Sequence, residues 1–221
     1  EDVKKYLPGK INVTVTGTPV REKILNLNLN TENAKSALGL SENPTILSFG
    51  GSLGAKAINK VMAEIITQKE NNFNFIHGFG RSGHDFLKTL EENKIDTKNT
   101  SKYMIKEYIN NMSECLAAAD VVICRAGATT LSEIEASGKP SILIPSPNVA
   151  ENHQYFNALA LKKANAASLI EEKDLSCDRL YSEITEIIEN GKKEIYSQNL
   201  EKIAIKDADE KIYKIILECK K

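Results

Sequence analysis

The sequence predicts a doubly wound α/β domain with a Rossmann-like parallel sheet and a helical C-terminus. Three observations predict it. Short apolar, β-branched runs recur along the chain, helical patterns separate them, and only helical patterns follow Leu175. The strand candidates are residues 11–16, 45–49, 74–77, 121–124, 141–144 and 167–170. Most are continuously apolar rather than alternating, as in parallel strands covered on both faces. Between them, residues 57–69 carry Ile58, Val61, Met62, Ile65 and Ile66 on one stripe. Residues 131–137 form a shorter helix that stops at Gly138-Lys139-Pro140, a glycine cap followed by proline. Residues 154–164 form another, with Tyr155, Ala158, Leu159 and Leu161 toward the core. Helices follow over roughly 177–189, 193–203 and 208–218. Residues 26–30 alternate Asn and Leu and read as a short strand or a loop.

Composition bounds the function. The 221 residues carry a formal net charge of −1, so no general basic field attracts nucleic acid. A bilayer span needs about 20 apolar residues, and no run approaches that. The expectation is no nucleic-acid partner and no direct membrane insertion by this chain. Cys115, Cys124, Cys177 and Cys219 form no C-x-x-C pair and read as reduced cytosolic thiols. His77, His84 and His153 are scattered, so no metal site is expected. The chain opens on Glu1-Asp2-Val3, neither a start Met nor a signal segment, and reads as a piece of something longer.

In a doubly wound sheet, ligands bind beyond the carboxyl ends of the strands. Four loops there draw attention. Gly50-Gly51-Ser52-Leu53-Gly54-Ala55 leads into a helix, and its glycines let backbone N–H groups approach an anion, with Ser52 adding a hydroxyl. It lacks the Lys-Ser/Thr of a Walker loop. Arg125-Ala126-Gly127-Ala128-Thr129-Thr130-Leu131-Ser132-Glu133 opens a helix whose N-terminal end carries roughly +0.5 charge and suits a phosphate. Thr129 and Thr130 are candidate caps and phosphate donors. Glu133 either accepts from ribose hydroxyls or completes a Thr130–Glu133 capping box. In the loop from Pro145 to Tyr155, Asn152, His153 and Gln154 are neutral hydrogen-bonding groups suited to sugar hydroxyls, although His153 also suits a solvated helix start. Gly78-Phe79-Gly80-Arg81-Ser82-Gly83 matches G-x-G-x-x-G. Asp96 and Glu107 only flank the position, about 20 residues on, where an acidic strand end is expected, and they lie in a polar stretch, so a nicotinamide or flavin reading is discounted and no cofactor is expected. Asp207-Ala208-Asp209 matches a D-x-D motif but sits between helices, where it reads as a solvated helix start.

Taken in order, several pieces resemble the MurG family of glycosyltransferases, glycosyltransferase family 28, in its C-terminal half. The first are Val15-Thr16-Gly17-Thr18-Pro19-Val20-Arg21, Ser48-Phe49-Gly50-Gly51-Ser52-Leu53-Gly54-Ala55 and Tyr108-Ile109-Asn110-Asn111-Met112. The stretch from Ala119 through Cys124 to Ile134 and Asn152-His153-Gln154-Tyr155-Phe156-Asn157-Ala158 complete the set. The similarity covers nearly the whole chain. It implies the C-terminal half of a GT-B enzyme that moves GlcNAc from UDP-GlcNAc to lipid-linked MurNAc-pentapeptide, with inversion. That step turns lipid I into lipid II in peptidoglycan synthesis. Residues 1–221 would then be the donor-binding domain, and the acceptor-binding N-terminal domain would be absent.

Carried over by position, Arg21, Ser52, Ile109, Ala128, Thr129, Thr130, Leu131, Ser132, Glu133 and Gln154 line the donor site. Gly51, Gly127, Asn152 and His153 stand beside them. The resemblance implies that the backbone of Ile109 reads the uracil edge, that the helix near Thr129 holds the diphosphate without a metal, that Glu133 holds ribose and that Gln154 holds the GlcNAc hydroxyls. The catalytic base is expected in the absent half, as is the lipid I site, and nothing like Gly-Gly-Thr-Gly-Gly-His appears here. Two positions depart from the family: Thr18 replaces an Asn, and Gly78 follows His77 where the family carries Gln. The resemblance also implies a cytoplasmic enzyme, peripheral on the inner face of the plasma membrane. The C-terminal helices are expected to pack on the absent half, leaving Ile203, Ile205, Ile212, Ile215 and Ile216 partly stranded. Alternatives are a stand-alone donor subunit of a two-component N-acetylglucosaminyltransferase, a non-catalytic UDP-sugar-binding protein, and a sugar-nucleotide epimerase.

Overall fold

The structure is a computed structural model that describes residues 13–27, 30–70 and 72–219. Its six strands are β1 (Thr45–Phe49), β2 (Asn74–Gly78), β3 (Tyr103–Lys106), β4 (Val121–Cys124), β5 (Ser141–Leu143) and β6 (Ser168–Leu169). They form one sheet in the order β3-β2-β1-β4-β5-β6, with every pairing parallel. The helices are α1 (Glu22–Leu25), α2 (Thr31–Ala37), α3 (Lys56–Gln68), α4 (His84–Glu92) and α5 (Met112–Ala118), then α6 (Ala128–Ser137), α7 (His153–Lys163), α8 (Cys177–Glu189), α9 (Lys192–Ile203) and α10 (Ala208–Glu218).

Side chains alternate across each strand, and both faces are covered. Ile46, Phe75, Val121 and Ile123 enter one core with Ile58, Met62 and Ile65 of α3, Phe86 of α4 and Ile184 of α8. Leu47, Ile76, Val122 and Leu143 enter the other with Leu116 of α5, Leu131 and Ile134 of α6, and Leu161 of α7. Double coverage is why the strands read as continuous apolar runs. Helix α6 ends as its sequence suggests, on Gly138 in the left-handed region (φ 61°) before Pro140.

Three expectations change. The strand expected over 11–16 is not one: residues 13–16 are irregular, and 11 and 12 lie outside the described residues. Val15 is exposed, so the alternation of Val and Thr there has no covering layer to bury it. Strand β3 escaped the sequence reading because it is a sheet edge, half-buried and ending on Lys106. Helices α1, α2 and α5 escaped it as well. Helix α2 has little apolar pattern and stands on a cap, Asn30 accepting from the Asn33 N–H at 3.0 Å, and on a Lys35–Asp120 ion pair. Of the alternating run 26–30, residues 26, 27 and 30 are not in a strand, and 28 and 29 lie outside the described residues.

Candidate functional site

Strand order reverses at β1, which pairs with β2 on one side and β4 on the other. Connections leave in opposite directions there, so the loops after β1 and β4 part and open a crevice at the carboxyl edge. Two adjoining cavities occupy it, of about 280 Å³ and about 880 Å³, and both touch Phe49, Gly51 and Thr130.

The start of α6 lies between them. Its N-cap is Gly127, which has no side chain to bond the first turn, and the first intrahelical bond runs from the Leu131 N–H to the Gly127 carbonyl at 3.0 Å. The amides of Ala128, Thr129 and Thr130 therefore have no acceptor among the described residues. They are open donors at the positive end of a helix. Thr129 and Thr130 are not the caps expected from sequence, because both lie inside the helix. The Thr130–Glu133 capping box is not formed either. Glu133 instead accepts from Arg21 Nε at 2.8 Å, across 112 residues of chain.

Arg21, Ser52, Ile109, Thr130 and Glu133 line the smaller cavity. Ile109 is both a core residue and a wall, only 5% exposed. A Cβ on Gly78 would come within 3.3 Å of the Ile109 side chain, so glycine at that position leaves room for it. Gly127, Thr130 and Gln154 line the larger cavity with Lys56, Arg81 and Arg125. Gln154 is already oriented: its Oε1 accepts from the Ser146 N–H at 2.9 Å, which leaves the amide NH2 as its free donor.

Other expected residues are placed differently. Ala128 and Thr129 are exposed, Leu131 is buried in the core and Ser132 is half-buried, and none of these four side chains lines either cavity. Asn152 and His153 line neither cavity. Asn152 takes a left-handed turn (φ 53°) after a left-handed Glu151 (φ 51°), and His153 Nδ1 lies 2.9 Å from the Ala150 carbonyl. They shape the loop rather than face the crevice. Asp207 is the N-cap position of α10 and pairs with Lys211, a solvated helix start.

The G-x-G-x-x-G loop is a support. Gly80 packs so closely on the first glycine loop that a Cβ there would meet Gly54 N at 2.1 Å, and one on Gly54 would meet the Phe79 carbonyl at 2.2 Å. The Arg81 and Ser82 N–H groups donate to the Ser52 and Leu53 carbonyls, and Asn59 Nδ2 donates to the Phe79 carbonyl. Beneath it, His77 is fully buried with its Nδ1 2.7 Å from Ser48 Oγ, and burial pushes its pKa down to about 3. Burial also pushes the Cys115 and Cys124 thiols up to about 12, so neither is a nucleophile at neutral pH.

Comparison with known proteins adds the family. The model described as the glycosyltransferase family 28 C-terminal domain matches residues 45–214. This chain belongs to that family. A UDP-N-acetylglucosamine--N-acetylmuramyl-(pentapeptide) pyrophosphoryl-undecaprenol N-acetylglucosamine transferase of Thermoanaerobacter sp. (strain X514) is 43% identical over 220 residues, which are 98% of this chain and 59% of the relative. The protein of the same name from Acetivibrio thermocellus is 40% identical over 98% of this chain and 58% of its own length. The crystal structure of Acinetobacter baumannii MurG superposes with a TM-score of 0.74 at 23% identity, covering 96% of this chain and 58% of that one. The chain thus has the fold of that crystal structure and spans about three-fifths of the length of the curated relatives it matches.

Sequence reading missed Lys56, Arg81 and Arg125 as walls of the crevice. Arg125 opens the loop after β4, but nothing local says where its side chain turns. Arg81 stood in a loop discounted as a cofactor motif.

Proposed function

We propose that residues 1–221 are the donor-binding domain for UDP-GlcNAc in a larger inverting glycosyltransferase. The observation that carries this reading is the unsatisfied start of α6, set between two cavities that suit the two ends of a nucleotide sugar. The smaller takes the nucleoside, with the Ile109 backbone facing the uracil edge and the Glu133 carboxylate accepting from ribose hydroxyls. The amides of Ala128, Thr129 and Thr130, with the Ser52 hydroxyl, hold the diphosphate. The larger takes GlcNAc, where the Gln154 amide donates to a sugar oxygen.

In the complete protein the acceptor is lipid-linked MurNAc-pentapeptide, as the names of the relatives state for them. Its C4 hydroxyl attacks C1 of GlcNAc and UDP leaves as an anion. The α6 amides stabilise that developing charge in place, with no reorganisation, so they favour the transition state over the ground state. A base must take the acceptor proton, and we assign none to this chain. Lipid I then binds through a further domain on the cytoplasmic face of the membrane. No described helix is long and apolar enough to cross a bilayer.

Calorimetry of this chain with UDP-GlcNAc tests the reading. Glu133→Ala should weaken binding about tenfold or more, the scale of one charged hydrogen bond. Equal affinities for both proteins would remove the ribose role. Lipid II made by the isolated chain would overturn the need for a second domain.

A further inference from the structure

We propose that Arg125 is a positioning residue for the sugar end of the donor. It would fix the loop that presents Gln154, without touching the nucleotide. This deepens the reading above and rests on it. Arg125 follows β4 and is half-buried, and its guanidinium ties three segments together. Its Nη1 donates to the Ile144 carbonyl at 3.2 Å and the Pro145 carbonyl at 3.1 Å, where the chain leaves β5. Its Nη2 pairs with Glu172, just after β6. The next residue along the clamped loop is Ser146, whose N–H holds Gln154 Oε1.

The chain of contact is therefore continuous: Glu172 aims Arg125, Arg125 anchors carbonyls 144 and 145, and Ser146 orients the Gln154 amide. A planar fork with several donors suits this task, and a single ammonium does not. A second tie runs parallel, from Asn157 Nδ2 of α7 to the Ala126 carbonyl at 3.2 Å. The phosphate loop and the sugar loop are thereby held at one spacing. The loop needs such anchoring, because it contains two successive non-glycine residues with left-handed backbone, Glu151 and Asn152.

The experiment compares UDP with UDP-GlcNAc on wild type, Arg125→Gln, Gln154→Ala and the double variant, by calorimetry on this chain. Glu172→Gln serves as a milder break of the clamp should Arg125→Gln fail to fold, with circular dichroism as the folding check. The readout is the ratio of the UDP-GlcNAc affinity to the UDP affinity, which a general loss of stability does not move. We expect Arg125→Gln to lower that ratio about tenfold while UDP affinity falls less than about threefold, one hydrogen bond's worth against background. Gln154→Ala should lower it as much, and the double variant no further, because both act through one group. Glu172→Gln should lower it in the same direction. Equal losses for UDP and UDP-GlcNAc, or additive losses in the double variant, would overturn the proposal and leave the donor reading standing. A wild-type chain that binds neither ligand would sink both.

Discussion

The two ends of the sheet are built on opposite principles. At the amino end, beneath β4, charges are paired around the buried Asp120. Asp120 accepts from Lys35 at 2.7 Å, Lys193 at 2.5 Å and the Thr45 N–H at 2.8 Å, joining α2, α9, β1 and β4. Burial alone would raise its carboxyl, but the hydrogen bonds from Lys193, Lys35 and Thr45 outweigh that and hold it below the usual range. Lys139 donates to the Ala117 and Ala119 carbonyls beside it, while burial pushes its ammonium down to about 8. At the carboxyl end charged side chains also pair, Arg21 with Glu133 and Arg125 with Glu172, but backbone donors are left unpaired. The α6 amides are open, its N-cap has no side chain, and the glycine loops approach each other too closely for any Cβ. One end uses its charges to hold the fold, and the other keeps the first-turn amides of α6 available. A ligand can supply hydrogen bonds only where the protein has left them unmade.

The sharpest way to break this comparison is Asp120→Asn. It leaves buried Lys35, with half-exposed Lys193 beside it, facing a neutral amide, and losing one partner of a buried pair costs about 3–5 kcal/mol. Thermal melting should show a large fall in Tm, about 10 °C for a chain of this size. A melt within about 2 °C of wild type would show that the amino end is not the staple.

Gly54→Ala attacks the other end. Its φ is +80° and its Cβ would press on the Phe79 carbonyl, so both glycine loops must shift, at about 2 kcal/mol of strain. UDP-GlcNAc binding should be lost in calorimetry while the melt changes less than in Asp120→Asn. A variant that binds normally would deny the loops any role.

Acid titration sharpens the comparison at the buried layer between the ends. The folded protein keeps His77 neutral down to about pH 3, and an unfolded chain protonates it near its ordinary 6.5. Its contribution to stability is therefore complete above about 6.5 and drains away as pH falls toward 3. Urea midpoints measured at pH 7.5 and pH 5 should fall with acid in wild type and fall less in His77→Gln. Equal acid sensitivity would mean another group sets the slope.

Ser52→Ala should have the smallest effect. It removes one exposed hydroxyl at the crevice and should weaken UDP-GlcNAc about threefold with no change in the melt.

Much of this is legible in the sequence. Helices 177–189 and 208–218 appear with the bounds their periodicity predicts, and β1 and β4 do likewise. Of the expected site, Arg21, Ser52, Ile109, Thr130, Glu133 and Gln154 do meet around one crevice. What failed did so for definable reasons. Edge strand β3 lacks the double burial that makes a strand conspicuous, and helix α2 depends on an ion pair with a residue 85 positions away. The use of the G-x-G-x-x-G loop as a prop for a neighbouring glycine loop has no sequence signature.

The sequence by itself determined the alternation of strand and helix, the double coverage of the sheet and the glycine-rich turns. Each of these is a local matter of apolar period and backbone freedom. The tertiary structure alone decided that the loops after β1 and β4 part at the same edge, that Glu133 answers to Arg21, and that Arg125 reaches carbonyls 144 and 145. Those partners are 19 to 112 residues apart, and strand order, which no local pattern encodes, sets which distant loops become neighbours.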